Sequence, residues 1–475
     1  MKSSNDFGGQ CSRSKTGVCA VLILALFAVY VQPGFAVAPP PPKVNAQLLG
    51  GLLGGLLPTQ RYIVRDTRGL LGLNLTCLIF GCKVLEGIGD PDGQLFVVTA
   101  PSLLSPVLLL TQLLSGAGIT NAEVDQSVAT QGTTTVGSTP EYLTDRTPVS
   151  YYGATVWEGY VLQTPNQIIN TSSTQSAYGV TGQGITVAII DTGVDPNNTI
   201  LKSHLVYGYD FTRNKTGGSE LADVTQSTVG VLDGSRTQPA QVNQSTVGVL
   251  DQSTVGVLDG PKYAAFGHGT MTAGIVHLVA PQANIMPLKS FNANGTGYAS
   301  DVLRAIYYAV NHGAKVISMS FDFTTSSKEL TAAINYANLR GVICVASAGN
   351  DGSMATVYPA SLPKVIDVAS TSNDNTPSSF SNYGTPPVML SAPGEAVMTT
   401  YPYNTYAAGW GTSFSAPLVS GTVALLANVN SVFLTEQQAA NALSHAQPMP
   451  YSQYGYGVLD SYQAVKAWRN ALGLR

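Results

Sequence analysis

From about Tyr151 to the C-terminus, short unbroken apolar runs alternate with longer runs of helical spacing. Ile185–Ile190, Ile285–Ser290, Lys315–Phe321, Val342–Ser347, Val365–Ser370 and Val388–Ala392 read as strands. Ser300–Gly313, Ser327–Gly341, Thr435–His445 and Ser461–Trp468 read as helices. Apolar strands alternating with helices predict an α/β fold, a mostly parallel sheet with helices on both faces. In such sheets ligands bind beyond the carboxyl ends of the strands. A further apolar run, Leu418–Val429, predicts a buried helix, and Gly411-Thr412-Ser413 leads into it. Ser413 reads as its cap. Pro417 is tolerated in a first helical turn, and the positive end of the dipole favours an anion there.

The pattern before Tyr151 is different. Lys2, Arg13 and Lys15 precede an apolar run, Val18–Val31, too short for a comfortable membrane span, and small residues follow at Ala36 and Ala38. Residues 1–36 therefore read as a signal peptide, cut after Ala36 because Pro39 obstructs a later cut. The alternative is an uncleaved anchor. No second membrane span is expected, and Leu103–Leu114 suits a buried helix. Residues 37–60 form a Pro-rich, then Leu/Gly-rich spacer. From Arg61 the pattern becomes compact: a strand at Arg61–Arg65, two strands within Lys83–Ala100 around Gly89–Gly93, a helix at Ser102–Gly116 and a last strand at Ile119–Val128. This predicts a small α+β unit over 61–128, followed by a polar linker at 129–150 suited to a maturation cut. The rest, 151–475, forms one large domain.

Within it, Gln226–Asp233 (QSTVGVLD) recurs at Gln244–Asp251 and Gln252–Asp259. Three short copies are too few for a solenoid. The insertion, 226–259, reads either as a surface-loop expansion of small entropic cost or as a flap touching substrate or a partner. Cys77 and Cys82 are near neighbours able to pair in an oxidising compartment, and Cys344 lies in a strand-like run as a buried thiol. No Cys/His spacing suits zinc. A net charge of -4 over 475 residues gives no case for a nucleic-acid partner.

The candidate chemistry sits at element ends. Ile189-Ile190-Asp191-Thr192-Gly193 puts a carboxylate after a strand, Gly267-His268-Gly269-Thr270 opens a small-residue helix with an imidazole, and Ser413 opens the later one. A serine hydroxyl attacks only when a base takes its proton. His268 can take it and return it to a leaving amine, and Asp191 can fix the imidazole tautomer. Asn350, in Ser347-Ala348-Gly349-Asn350-Asp351, supplies an amide that can donate to an oxyanion beside the Ser413 N–H.

These stretches, with Ala273-Gly274 and Ala416-Pro417, resemble the subtilisin-like serine proteases, the subtilases, over about residues 150–475. The resemblance implies a seven-stranded-type parallel sheet, endopeptidase activity on polypeptide substrates and an acyl-enzyme on Ser413. It suggests that Gly295-Thr296-Gly297 is an edge that pairs with extended substrate, faced by Ser318–Phe321 with Ser320 and Phe321. Asp322 and Asp351 fall near the expected specificity pocket, where they either favour a basic side chain or are solvated loop acids. Residues 61–128 resemble the family's inhibitory propeptide in element order, so the chain's own N-terminal unit is an expected partner, as an intramolecular inhibitor. Met271 and Leu418 stand where many relatives carry histidine, which reads as a packing change. Asp191 and His268 lie 77 positions apart (268 − 191), and the repeats fill the excess. The helix after His268 lacks the inserted loop that carries calcium in some relatives. No cofactor is expected to be required and no calcium site is assigned, although other loops could bind calcium through carbonyls. Once the signal is removed, the product is an extracellular protein without a stable membrane span. Two other functions fit the same residues: a catalytically silent binding protein, and acyl transfer to an amine.

Overall fold

The structure is a computed structural model, and it describes residues 59–101, 106–129, 140–224, 241–242, 247–249, 263–384 and 388–474. The expected signal peptide, almost all of the spacer, the linker over 130–139 and the first and third repeat copies lie outside the described residues.

The large domain is built on an eight-stranded sheet. Its order is Lys215–Thr216, Tyr209–Asp210, Asn284–Lys289, Thr186–Asp191, Val316–Met319, Ile343–Ser347, Val365–Thr371 and Leu390–Pro393. Every neighbouring pair is parallel except the antiparallel edge Lys215–Thr216, so seven strands run the same way. The strands are apolar throughout because both faces are covered. Val187 and Ile189 join one core with the helices His268–Val279 and Thr412–Val429. Ala188 and Ile190 join a second core with the helices Ala299–Asn311 and Lys328–Leu339. This is the two-residue alternation of a strand feeding two helical layers. Thr186–Asp191 lies between Asn284–Lys289 and Val316–Met319, and from it the sheet grows both ways. That is a switch point, where loops part beyond the carboxyl ends and leave a crevice. Asp191 is the last residue of this strand.

Among the described helices, Thr412–Val429 is long and apolar enough to cross a membrane, but 89% of it is buried inside the fold. Its close packing against the His268 helix depends on Gly421, where an added Cβ would lie 2.6 Å from Cβ of Val279. An antiparallel ribbon, Val397–Tyr401 with Thr405–Gly409, has no counterpart in the sequence pattern. The second repeat copy adds a strand to it, Val247–Val249 pairing with Ala407–Gly409.

The N-terminal unit is a four-stranded antiparallel sheet in the order Lys83–Gly87, Leu95–Pro101, Thr59–Asp66, Ile119–Val124. Tyr62, Val64 and Val98 on one face enclose Leu73 and Leu113 from the helices Gly69–Phe80 and Pro106–Ser115. Ile63, Leu95 and Val97 on the other face join Leu303, Ile306 and Ile334 of the large domain. Cys77 and Cys82 form a disulfide, and Cys344 is a buried free thiol. The last strand expected over Ile119–Val128 is two strands instead. The chain breaks at Asp125, whose carboxylate accepts from the backbone N–H of Ser300 (2.9 Å) at the start of the helix Ala299–Asn311. Ser127–Ala129 then pairs antiparallel with Thr296–Tyr298.

Candidate active site

The carboxylate of Asp191 is buried where its strand ends. It accepts from the backbone N–H of Thr192 at 2.6 Å and from the Thr272 hydroxyl at 3.2 Å. Nδ1 of His268 lies 2.8 Å from Asp191 Oδ1 and 3.0 Å from Oδ2. An imidazole that donates through Nδ1 presents Nε2 as a lone pair. His268 Nε2 is buried and bonds to nothing among the described residues.

The small flanks of the histidine have a steric cause. Gly267 holds φ at +90°, and an added Cβ would lie 2.1 Å from the Tyr401 ring. At Gly269 an added Cβ would lie 2.0 Å from the carbonyl oxygen of Gly193. The aspartate loop and the histidine helix therefore touch backbone to backbone. Met271 and Leu418 are wholly buried in the core.

The structure corrects one sequence expectation about Ser413. The helix begins at Thr412, Gly411 is the residue before it, and no side chain caps the end. Ser413 lies inside the first turn, so its hydroxyl is not tied up by helix amides and instead donates to the Ser320 carbonyl at 3.4 Å. Ser320 returns a bond from its own hydroxyl to the Ser413 carbonyl, 3.1 Å. The ring of Phe414, one residue on, lies 5.8 Å from the His268 ring. Asn350 reaches the same turn. Its Oδ1 accepts from the N–H of Thr412 (2.9 Å) and from its hydroxyl (3.0 Å), which leaves the amide NH2 to donate.

The buried Asp191–His268 pair adjoins, through Phe414, the helix turn that carries Ser413 and bonds to Asn350, while the Ser413 hydroxyl bonds to Ser320 and not to His268 Nε2. The model of the subtilase family, Peptidase_S8, matches residues 182–457. The chain belongs to the subtilase family. It is 32% identical over 313 residues to the Thermophilic serine proteinase of Bacillus sp. (strain AK1), covering 66% of this chain and 68% of that protein. It is 34% identical over 257 residues to Thermitase of Thermoactinomyces vulgaris, covering 52% and 76%. Against Subtilisin Savinase of Lederbergia lenta it is 30% identical over 298 residues, covering 61% and 93%. It is a serine-type endopeptidase.

The remaining candidate residues of this subtilase fall into three places. Gly295 precedes the edge strand Thr296–Tyr298, where Thr296, Gly297 and Tyr298 pair with Ala129, Val128 and Ser127. Gly297 admits no side chain, because a Cβ would lie 2.4 Å from the Ser290 carbonyl oxygen. Ser320 abuts Ser413, while Phe321 is buried against Phe291 and Phe323 and contributes to the core. Asp322 and Asp351 lie around the loop that carries Asn350. An added Cβ at Gly349 would be 3.3 Å from Asp322 Oδ2. Asp351 accepts from the Asn382 amide at 3.0 Å. Burial, and then the charge of Asp351, push the Asp322 carboxyl up to about 6.

The groups that hold the aspartate and histidine from behind carry no motif of their own in the sequence. Thr192 accepts from the N–H of Gly269 at 2.9 Å. Lys289, fully buried, donates to the carbonyls of Thr192 (2.7 Å) and Phe291 (2.6 Å) and to Asp223 (2.6 Å). Glu220 also bonds on both sides of the pair. A charged residue inside an apolar strand and an isolated acid before a repeat tract carry no periodic signal. The only clue is that buried lysine and glutamate are rare unless paired.

Proposed function

We propose that the chain is a secreted endopeptidase made as a precursor, in which Ser413 attacks the scissile carbonyl and forms an acyl-enzyme. His268 takes the serine proton through Nε2 and returns it to the leaving amine. Asp191 holds the tautomer and stabilises the imidazolium. The Asn350 amide and the Ser413 N–H bind the oxyanion. The observation that carries this reading is the buried 2.8 Å bond from His268 to Asp191 with Nε2 left unbonded, beside the first turn that bears Ser413. A base with its lone pair free and its far side fixed is what an unactivated hydroxyl requires.

The N-terminal unit acts as an inhibitor of the same site. Ser127–Ala129 occupies the edge strand that an extended substrate would use. Arg61 and Asp125, paired at 2.8 Å, both bond to Ser300 of the large domain, Arg61 to its hydroxyl at 3.0 Å and Asp125 to its N–H at 2.9 Å, and Arg65 pairs with Glu329 at 2.6 Å. Asp322 favours a basic side chain in the substrate residue that donates the scissile carbonyl.

The test is secretory expression of the wild type and of Ser413→Ala, followed by intact mass, N-terminal sequencing and peptide hydrolysis. The wild type is expected to shed the N-terminal unit and cut peptides, and the variant to do neither. Hydrolysis by Ser413→Ala would overturn the assignment. Equal processing of both proteins would assign maturation to another protease.

A further inference from the structure

The short turn Glu220–Asp223 stands just before the repeat insertion and carries two carboxylates turned into the protein. Glu220 is 1% exposed. One of its oxygens accepts from the backbone N–H of Gly267 at 2.9 Å and from the Thr192 hydroxyl at 3.3 Å. The other accepts from the Thr270 hydroxyl. Gly267 precedes His268, Thr270 follows it by two, and Thr192 follows Asp191. The Thr192 hydroxyl also accepts from the N–H of Gly269, and the Thr270 hydroxyl accepts from the N–H of Asp195 at 2.8 Å. One carboxylate thus joins the two segments whose side chains form the Asp191–His268 bond. Asp223 reinforces the same loop through Lys289, which donates to the Thr192 carbonyl.

We propose that Glu220 is a positioning residue, which sets the Asp191–His268 contact by bonding the backbone around the histidine to the residue after the aspartate. The proposal rests on the reading of Asp191, His268 and Ser413 as the reacting groups. Glu220 is too deeply buried to meet a substrate, so its effect passes through the two segments it joins. A reacting group displaced by about 1 Å can cost on the order of 100-fold in rate.

The titratable and charged groups that face Glu220 are Asp191, Asp195, Lys289, Tyr401 and Tyr403. Burial raises its carboxyl most. The Thr270 hydroxyl and Lys289 oppose that, Asp195 and Asp191 add to it, and the carboxyl stands at about 8. Glutamine keeps the oxygen that accepts from the Gly267 N–H and the Thr192 hydroxyl, and its NH2 can donate to the Thr270 hydroxyl in place of the second oxygen.

The experiment compares Glu220→Ala and Glu220→Gln with wild type in kcat, KM and the pH profile of kcat/KM on a short chromogenic peptide, with Ser413→Ala as control. The alanine variant is expected to lose ~10–100-fold in kcat with KM within about threefold. Its acid limb should move to lower pH, because a looser Asp191 favours the imidazolium less. The glutamine variant should recover kcat to within about threefold of wild type at pH 7. Wild-type kcat and an unmoved acid limb in Glu220→Ala would overturn the proposal, as would a glutamine variant as impaired as the alanine one. Should the alanine variant fail to fold, Thr192→Val carries the test. It removes the hydroxyl shared by Glu220 and Gly269, and the same fall in kcat and the same shift are expected. Wild-type behaviour there overturns the proposal. If Ser413→Ala still hydrolyses the peptide, the triad assignment itself fails. If it is dead while Glu220→Ala is normal, only the positioning role falls.

Discussion

Around His268 the chain is held mainly by buried polar side chains, whereas around Ser413 it is held mainly by apolar packing. Asp191, Thr192, Thr270, Thr272, Glu220 and Lys289 are all buried, and each makes hydrogen bonds to neighbours within the same cluster. The serine helix has Phe414, Ala416, Leu418, Val419, Val423 and Ala424 without exposed surface. Room for it is left by glycines: an added Cβ at Gly409 would lie 2.3 Å from the Phe414 ring, and one at Gly421 would strike Val279. Its few hydroxyls, such as Ser415 and Ser420, bond to Ala392 and Ser318 and anchor the helix to the sheet. The difference is mechanical. A polar cluster fails when one acceptor is lost, because the remaining donors stay buried and unpaired. A packed helix fails when volume changes, because there is nowhere for the extra atoms to go.

The sharpest way to break the polar half is Asp191→Asn. The amide keeps the shape but cannot hold the Nδ1–H tautomer as a carboxylate does. A loss of about 10⁴ in kcat is expected, with KM changed only a few-fold. Steady-state kinetics on a short peptide check this, and a loss under tenfold would contradict the assignment. On the serine side the matching change is Asn350→Ala. It removes one donor to the oxyanion and should cost ~10²–10³ in kcat, again with little change in KM.

Gly421→Ala tests the packed half without touching a reacting group. The new methyl meets Val279, so overpacking of ~1–3 kcal/mol should lower the melting temperature. Activity per folded molecule should stay within about twofold of wild type. A thermal melt beside an active-site titration separates the two. A variant as stable as wild type would mean that the two helices can part freely.

The same contrast explains what could be read from residues alone. The parallel sheet was legible because its strands are apolar on both faces and its helices are long and periodic. The Asp191 and His268 segments were legible because close approach forces glycine at 193 and 269 against backbone and at 267 against the Tyr401 ring. The helix Gly69–Phe80 was not, because Leu71, Leu78 and Ile79 are apolar yet exposed, which hides any amphipathic stripe. The ribbon Val397–Tyr401 was missed for the opposite reason. Its Thr399 and Thr400 are polar yet buried, donating to the carbonyls of Met271 and Thr270. Ser413 read as a cap because serine favours that position, yet Gly411 holds it. Glu220 bonds to Gly267 and Lys289 to Thr192 across 47 and 97 positions, beyond the reach of any local pattern.

The smallest effect expected concerns Asp322, an acid on the otherwise packed side. For substrates with arginine rather than leucine before the scissile bond, Asp322→Asn should lower the arginine-to-leucine ratio of kcat/KM about fivefold, the worth of one partly screened ion pair of ~1 kcal/mol. Burial and Asp351 push this carboxyl up to about 6. Below that pH it is protonated and offers no charge to a guanidinium, and above it the charge appears. The ratio should therefore rise as pH goes from 5 to 7 in the wild type and stay flat in Asp322→Asn. Because both substrates use the same histidine and serine, the titration of the base cancels from the ratio. What remains reports the pocket alone. A ratio that is flat with pH in the wild type would place the Asp322 charge away from the bound side chain, and the packed half of the site would then select substrates by shape only.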